Sequence, residues 1–100
     1  MYGTVARYRL KPGMEDRLLA FEREIREAKL PGLVAEFTYR LDSDPLVYIE
    51  AIVFESKEAY HALASSPEQD ARYRRLLELM EGEPEWNDGE IVNIDLPSVR

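Results

Sequence analysis

Hydrophobic and polar positions alternate over residues 2–10, with Thr4, Ala6, Tyr8 and Leu10 on one face and Val5, Arg7 and Arg9 on the other. Period two carried by β-branched and aromatic residues predicts a strand. Lys11-Pro12-Gly13 closes it, because proline cannot donate to a sheet ladder. The period then changes. Met14, Leu18, Phe21, Ile25 and Ala28 recur three or four residues apart, the apolar stripe of a helix over 14–28. Glu15 and Asp16 suit the positive end of its dipole and Lys29 the negative end. Leu30-Pro31-Gly32 ends it.

Alternation returns over residues 34–41 and 46–55, two arms of a hairpin around Asp42-Ser43-Asp44-Pro45. In the first arm Ala35, Phe37, Tyr39 and Leu41 form an apolar face, opposite Val34, Glu36, Thr38 and Arg40. In the second, Val47, Ile49, Ala51 and Val53 are uniformly apolar, and Tyr48, Glu50, Ile52 and Phe54 are mixed. Ser56 is placed to cap a second helix. Ser65-Ser66-Pro67 interrupts it, and Pro67 starts a further helical segment that runs to about Met80, with Ala71, Leu76, Leu77 and Met80 inward. Gly82 and Pro84 stop that segment. A last strand is expected over 89–96, entered through Asn87-Asp88-Gly89, with a tail over 97–100 that is frayed or reaches a partner.

The order β-α-β-β-α-β predicts an α+β, ferredoxin-like domain spanning residues 1–100, a four-stranded antiparallel sheet with its helices on one face. The apolar strand faces are expected to meet the helices. The other face then carries Arg7, Arg9, Glu36, Thr38, Arg40, Tyr48 and Glu50 among Val5, Val34, Ile52 and Phe54. Such a mixture fits a solvated sheet or a sheet-to-sheet homodimer that closes a barrel.

A net charge of −7 argues against nucleic acid as a partner, since phosphate contacts need clustered Lys and Arg. The absence of cysteine excludes disulfides, thiolate metal sites and Fe–S clusters, and suits a cytoplasmic location. No apolar run approaches the roughly 20 residues of a membrane helix. The first five residues read as strand and not as a signal peptide.

Candidate chemistry is sparse. Tyr8, Phe37 and Tyr39 are expected on the helix-facing side of adjacent strands, with Tyr60, Tyr73 and Trp86 approaching from the opposite wall. They make either an aromatic ligand pocket or an aromatic core. His61, the sole histidine, reads as a pocket acid or base, an exposed helix residue, or a metal or haem ligand. Trp86 sits in a polar stretch that needs cover, as a lid or as packing. The acidic run from Glu81 to Glu90 matches no calcium-loop spacing, and Arg72, Arg74 and Arg75 are expected to pair with Glu68 and Glu78. Neither a metal-spaced histidine pair nor a phosphate loop is present, so no metal is expected.

With Val5-Ala6-Arg7-Tyr8-Arg9-Leu10-Lys11-Pro12-Gly13, Leu30-Pro31-Gly32, Phe54-Glu55-Ser56-Lys57-Glu58-Ala59 and Ala64-Ser65-Ser66-Pro67 in this order, the chain resembles the antibiotic biosynthesis monooxygenase (ABM) domain family of dimeric α+β barrels. The resemblance covers nearly the whole chain through structural signposts. It implies a homodimer with a pocket between sheet and helices, binding a small aromatic or quinone-like molecule. It implies oxidation of that molecule by O₂ without metal or flavin; His61 and Tyr39, read from the residues themselves, are the candidate catalytic groups. A non-catalytic, stress-related or ligand-binding dimer and a haem-degrading protein are alternatives within the same superfamily. Three positions depart from the family pattern: Ile52 stands where a Glu is frequent, and Leu63 and Glu68 stand where histidines are frequent.

Overall fold

A computed structural model describes residues 1–99. Its elements are β1 (Tyr2–Arg9), α1 (Glu15–Ala28), β2 (Leu33–Arg40), β3 (Val47–Phe54), α2 (Lys57–Ala64), α3 (Pro67–Leu77) and β4 (Glu85–Glu90), followed by a 3₁₀ turn at Pro97–Val99. The strands form one antiparallel sheet in the order β2-β3-β1-β4. This is the α+β arrangement expected from the element order. Among the described residues no helix is long and apolar enough to cross a membrane.

Local signals place the elements. The Ser56 hydroxyl accepts from the Ala59 amide at 3.1 Å and opens α2. The Ser66 hydroxyl accepts from the Gln69 amide at 3.2 Å and opens α3, with Pro67 in the first turn where its missing N–H costs nothing. Gly32, at φ 79°, turns the chain from α1 into β2 so tightly that a Cβ there would lie 2.6 Å from Ala59 Cβ. Glycine supplies both the left-handed backbone and the room.

The last strand differs from expectation. It is Glu85–Glu90, and Asn87-Asp88-Gly89 lies inside it, with Gly89 paired to Gly3 and Asn87 to Val5. A polar, largely exposed edge strand is acceptable because the β1 backbone supplies its ladder, and edge charges discourage further pairing. Beyond it the Ile91 amide still donates to the Met1 carbonyl at 2.9 Å, but residues 91–96 belong to no strand, and Val92, Ile94 and Leu96 are exposed.

The strand faces also need correction. Thr4, Ala6 and Tyr8 face the helices as expected, but their partners on β3 are Ile52, Glu50 and Tyr48, whose own partners on β2 are Glu36, Thr38 and Arg40. Directly paired residues project to the same side of a sheet. The mixed faces of β2 and β3 therefore point inward, and the more apolar ones, with Phe37, Tyr39, Ile49, Ala51 and Val53, point away from the helices. Val5, Phe37 and Tyr39 are 46, 50 and 55 % exposed there.

The packed core fills one end of the layer between sheet and helices. It joins Ala6, Tyr8, Leu10, Leu18, Tyr48, Leu76 and Met80, with Phe21, Leu77 and Leu79 against it. Tyr8 and Tyr48 stack with ring centres 6.0 Å apart. The other end of the layer is open.

Candidate functional site

That open end is a cavity of about 360 Å³. Its floor is the sheet, through Thr4, Glu36, Glu50, Ile52, Phe54, Trp86 and Asp88. Its walls come from α1 through Phe21 and Ile25, and from α2 and α3 through Tyr60, Leu63, Tyr73 and Leu76. Aromatic contacts hold the walls: Tyr60 meets Phe54 edge-on at 5.2 Å between centroids, and Tyr73 lies 6.0 Å from Trp86. The Tyr60 hydroxyl donates to Asp88 Oδ1 at 3.0 Å. Burial and that carboxylate together push the Tyr60 phenol up to about 12.

The polar end of the site is a group of three carboxyls, Glu22 from α1, Glu36 from β2 and Glu50 from β3. One oxygen from each lies within 4.8 Å of the other two. Glu50 is only 5 % exposed. The Thr38 hydroxyl stands between two of them, 2.6 Å from Glu22 Oε1 and 3.3 Å from Glu50 Oε1. A hydroxyl has one proton to give. It goes to Glu22 at the shorter distance, which leaves the 3.3 Å contact with Glu50 the weaker one.

The electrostatics agree. Burial is the main reason that the Glu50 carboxyl is pushed up to about 10, followed by its hydrogen bond with Glu22 and the charges of Glu36 and Glu22. Glu36 is raised by burial and by the Glu22 charge, against a lowering hydrogen bond from Glu50. Carboxyls as close as Glu36 and Glu50 do not ionise independently, so the two titrate together. Two further hydroxyls lie close by. Tyr8, 4 % exposed, has a hydroxyl without a hydrogen-bond partner. Its phenol is raised by burial first and then by the charges of Glu50, Glu22 and Glu36. Thr4, 3 % exposed, lines the cavity. Its hydroxyl lies beside the Tyr60 phenol and makes no hydrogen bond by distance and angle.

The sequence-predicted site residues divide. Tyr60, Tyr73 and Trp86 line the cavity, Trp86 from β4 and not from a loop. Tyr8 lies on the same face but is packed into the core beside the cavity. Phe37 and Tyr39 are on the opposite face, because they pair with Ala51 and Ile49 and not with the inward residues. His61 is exposed on the outer side of α2, with its ring 5.5 Å from Tyr60 and 6.1 Å from Tyr2, and does not reach the cavity. The arginines of α3 pair differently from expectation: Arg75 with Glu24 at 2.8 Å and Arg74 with Asp70 at 3.1 Å. The carboxyl group was missed by sequence reasoning, which put Glu36 and Glu50 outside. A signal was present in Glu50, the sole charged residue of β3. A carboxyl within an otherwise apolar strand must be protonated or partnered when buried.

Solved structures supply the remaining comparison. SnoaB, a cofactor-independent oxygenase from Streptomyces nogalater, superposes with a TM-score of 0.78 at 18 % identity, covering 96 % of each chain. The fold is that of the antibiotic biosynthesis monooxygenases. Structures described provisionally under that name from Chloroflexus aurantiacus J-10-fl and Bordetella bronchiseptica give TM-scores of 0.75 and 0.76 at 23 and 16 % identity. The first match covers 94 % of this chain and 95 % of the other, the second 92 % and 97 %. No family model and no curated protein matches the chain. The ABM fold is thus shared at identities that carry architecture and leave the site to be argued from its own residues.

Proposed function

We propose that the protein binds a small aromatic or quinone-like molecule in the cavity between sheet and helices, and that it is a cofactor-independent monooxygenase of the ABM type. The observation that carries the binding reading is the cavity itself, about 360 Å³, apolar and aromatic along its walls and closed at one end by carboxyls. Ligand sites are of this size and character. An electron-rich phenolic substrate needs a proton acceptor and exclusion of water more than any further group. The Glu36–Glu50 pair supplies the acceptor, a role that His61 and Tyr39 do not fill from outside the cavity. Oxidising a ring CH₂ to C=O takes four electrons from the substrate. One O₂ accepts them, one oxygen entering the carbonyl and the other leaving as water.

The homodimer belongs to the same reading. The outward sheet face around Val5, Phe37 and Tyr39 is too apolar to be left in water, and Val92, Ile94 and Leu96 extend beyond β4 without a strand partner. A second sheet laid on that face would cover it.

The test uses Trp86, the sole tryptophan, as reporter. Titration with 1-naphthol is expected to change its emission saturably, and anthrone is expected to consume oxygen in proportion to protein. Saturable binding without oxygen uptake would leave a binding protein and remove the enzyme. No change with any phenol or anthrone would overturn both. The haem-degrading alternative has no histidine lining the cavity to support it.

A further inference from the structure

The three carboxyls lack a counter-charge. No lysine, arginine or histidine lines the cavity. None of Glu22, Glu36 and Glu50 takes part in an ion pair among the described residues. Glu22 lines the neighbouring groove together with Arg26 and Lys29, neither of which is within ion-pair distance of it, while Glu36 lines both spaces and Glu50 faces the cavity. Asp70 and Asp88 add two more acids to the cavity lining. Clustered buried carboxyls are ordinarily paired with a cation or a metal. Here the cluster opens onto an apolar chamber, and the hydroxyls of Tyr8 and Thr4, each more than nine-tenths buried, are left without hydrogen-bond partners around it.

We infer that the ligand of this cavity carries its own counter-charge, and that it is an aromatic-bodied primary amine whose ammonium group docks on Glu36 and Glu50, the two carboxyls of the cluster that line the cavity. The inference rests on the reading of the cavity as a ligand site and names the charge of what enters it. An ammonium has three donors, enough to meet both carboxyls that line the cavity. Tyr60, Tyr73 and Trp86 take the ring. A bare metal ion would use the carboxyls but leave the aromatic chamber without purpose. Entry of the ammonium ionises carboxyls that hold protons in the empty site, so binding releases protons to the buffer.

Calorimetric titration of the intact protein with 2-phenylethylamine, its neutral isostere 2-phenylethanol and the anion 3-phenylpropionate tests this. The amine is expected to bind at least tenfold more tightly than the alcohol, with the propionate weakest. The heat of amine binding is expected to change with the ionisation enthalpy of the buffer. E36Q and E50Q are expected to weaken the amine tenfold or more, and by a larger factor than they change the alcohol. The comparison among the three probes on the unmodified protein stands even where a variant folds poorly. If the alcohol binds as tightly as the amine, the cavity is a ligand site but the inference fails. If none of the three binds, the reading of the cavity fails with it. If Mn²⁺ alone saturates the carboxyls and 2-phenylethylamine does not compete, the site is one for an inorganic cation and the inference is overturned.

Discussion

Glu50 stands directly across from Ala6 in the antiparallel pair of β3 and β1, so its carboxyl is carried to the side of the sheet where Ala6 is fully shielded from water. One register relationship thereby converts a residue that looks solvent-facing in the sequence into the buried centre of a carboxyl cluster. Much of what the molecule is expected to do follows from it.

The first consequence is a dependence of stability on pH. Glu50 titrates near 10 in the folded chain and in the ordinary carboxyl range, roughly 4.3, when unfolded. Between those values the folded state holds more protons, so stability is greatest below the lower value and declines as pH rises towards the upper one. Glu36 is shifted in the same direction. The melting temperature is expected to fall between pH 5 and pH 8. Glu50→Gln, neutral at every pH, is expected to flatten that fall and to be the more stable protein at pH 8, by on the order of 1–3 kcal/mol. Thermal melts at the two pH values check it; an equal fall in both proteins contradicts the assignment.

Gly32 offers a test of how α2 is held over the sheet. Gly32→Ala places a methyl 2.6 Å from Ala59 Cβ and forces alanine to φ near 79°. A loss of roughly 1–3 kcal/mol is expected. For a chain of this size that lowers the melting temperature by about 4–8 °C per kcal/mol. Urea denaturation measures the loss directly, and a change inside about 0.5 kcal/mol would mean that the turn is not under this constraint.

The break between α2 and α3 sets the shape of the cavity wall. Ser66→Ala removes the side-chain acceptor for the Gln69 amide and is expected to cost about 1 kcal/mol. Ser66→Asp, which keeps an acceptor and adds charge at the helix start, is expected to restore it. Chemical denaturation of the two variants distinguishes a cap from mere loss of volume.

Side-chain location makes a prediction about binding. Tyr39→Phe and His61→Ala alter groups outside the cavity and are expected to change the 1-naphthol titration by less than twofold. Tyr60→Leu removes a wall residue and is expected to weaken it about tenfold, the loss of roughly one aromatic contact with its burial. Phe37→Asp combined with Tyr39→Asp is expected to reduce the particle to a monomer in light scattering while leaving the isolated fold intact by circular dichroism.

The element order was readable because each boundary carries local chemistry: Pro12-Gly13, Pro31-Gly32, the Ser56 cap and the Ser66-Pro67 break. The end of the sheet was not, because β4 is set by the β1 backbone and has no alternation of its own. The faces of β2 and β3 were misread for a related reason. An apolar strand face signals burial without saying against what, and here the more apolar face is turned from the helices. The partially filled inner layer tolerates Glu36, Thr38 and Glu50 around a cavity. Tyr60 and Tyr73 were legible as wall residues because aromatic side chains at those positions have few other places to go; Trp86 reaches the cavity from the sheet and not from the opposite wall. Glu22 was not, since a glutamate on a helix surface carries no mark of the two strands beneath it.

The central claim is that Glu22, Glu36 and Glu50 converge beneath the helices, with Glu50 buried against the cavity and holding its proton, and carboxyl ¹³C NMR on glutamate-labelled protein tests it most directly. One glutamate resonance is expected to stay at its protonated shift through pH 7 and to be missing from the spectrum of Glu50→Gln. If every glutamate titrates in the ordinary acidic range, the cluster does not exist as described and the site must be sought elsewhere.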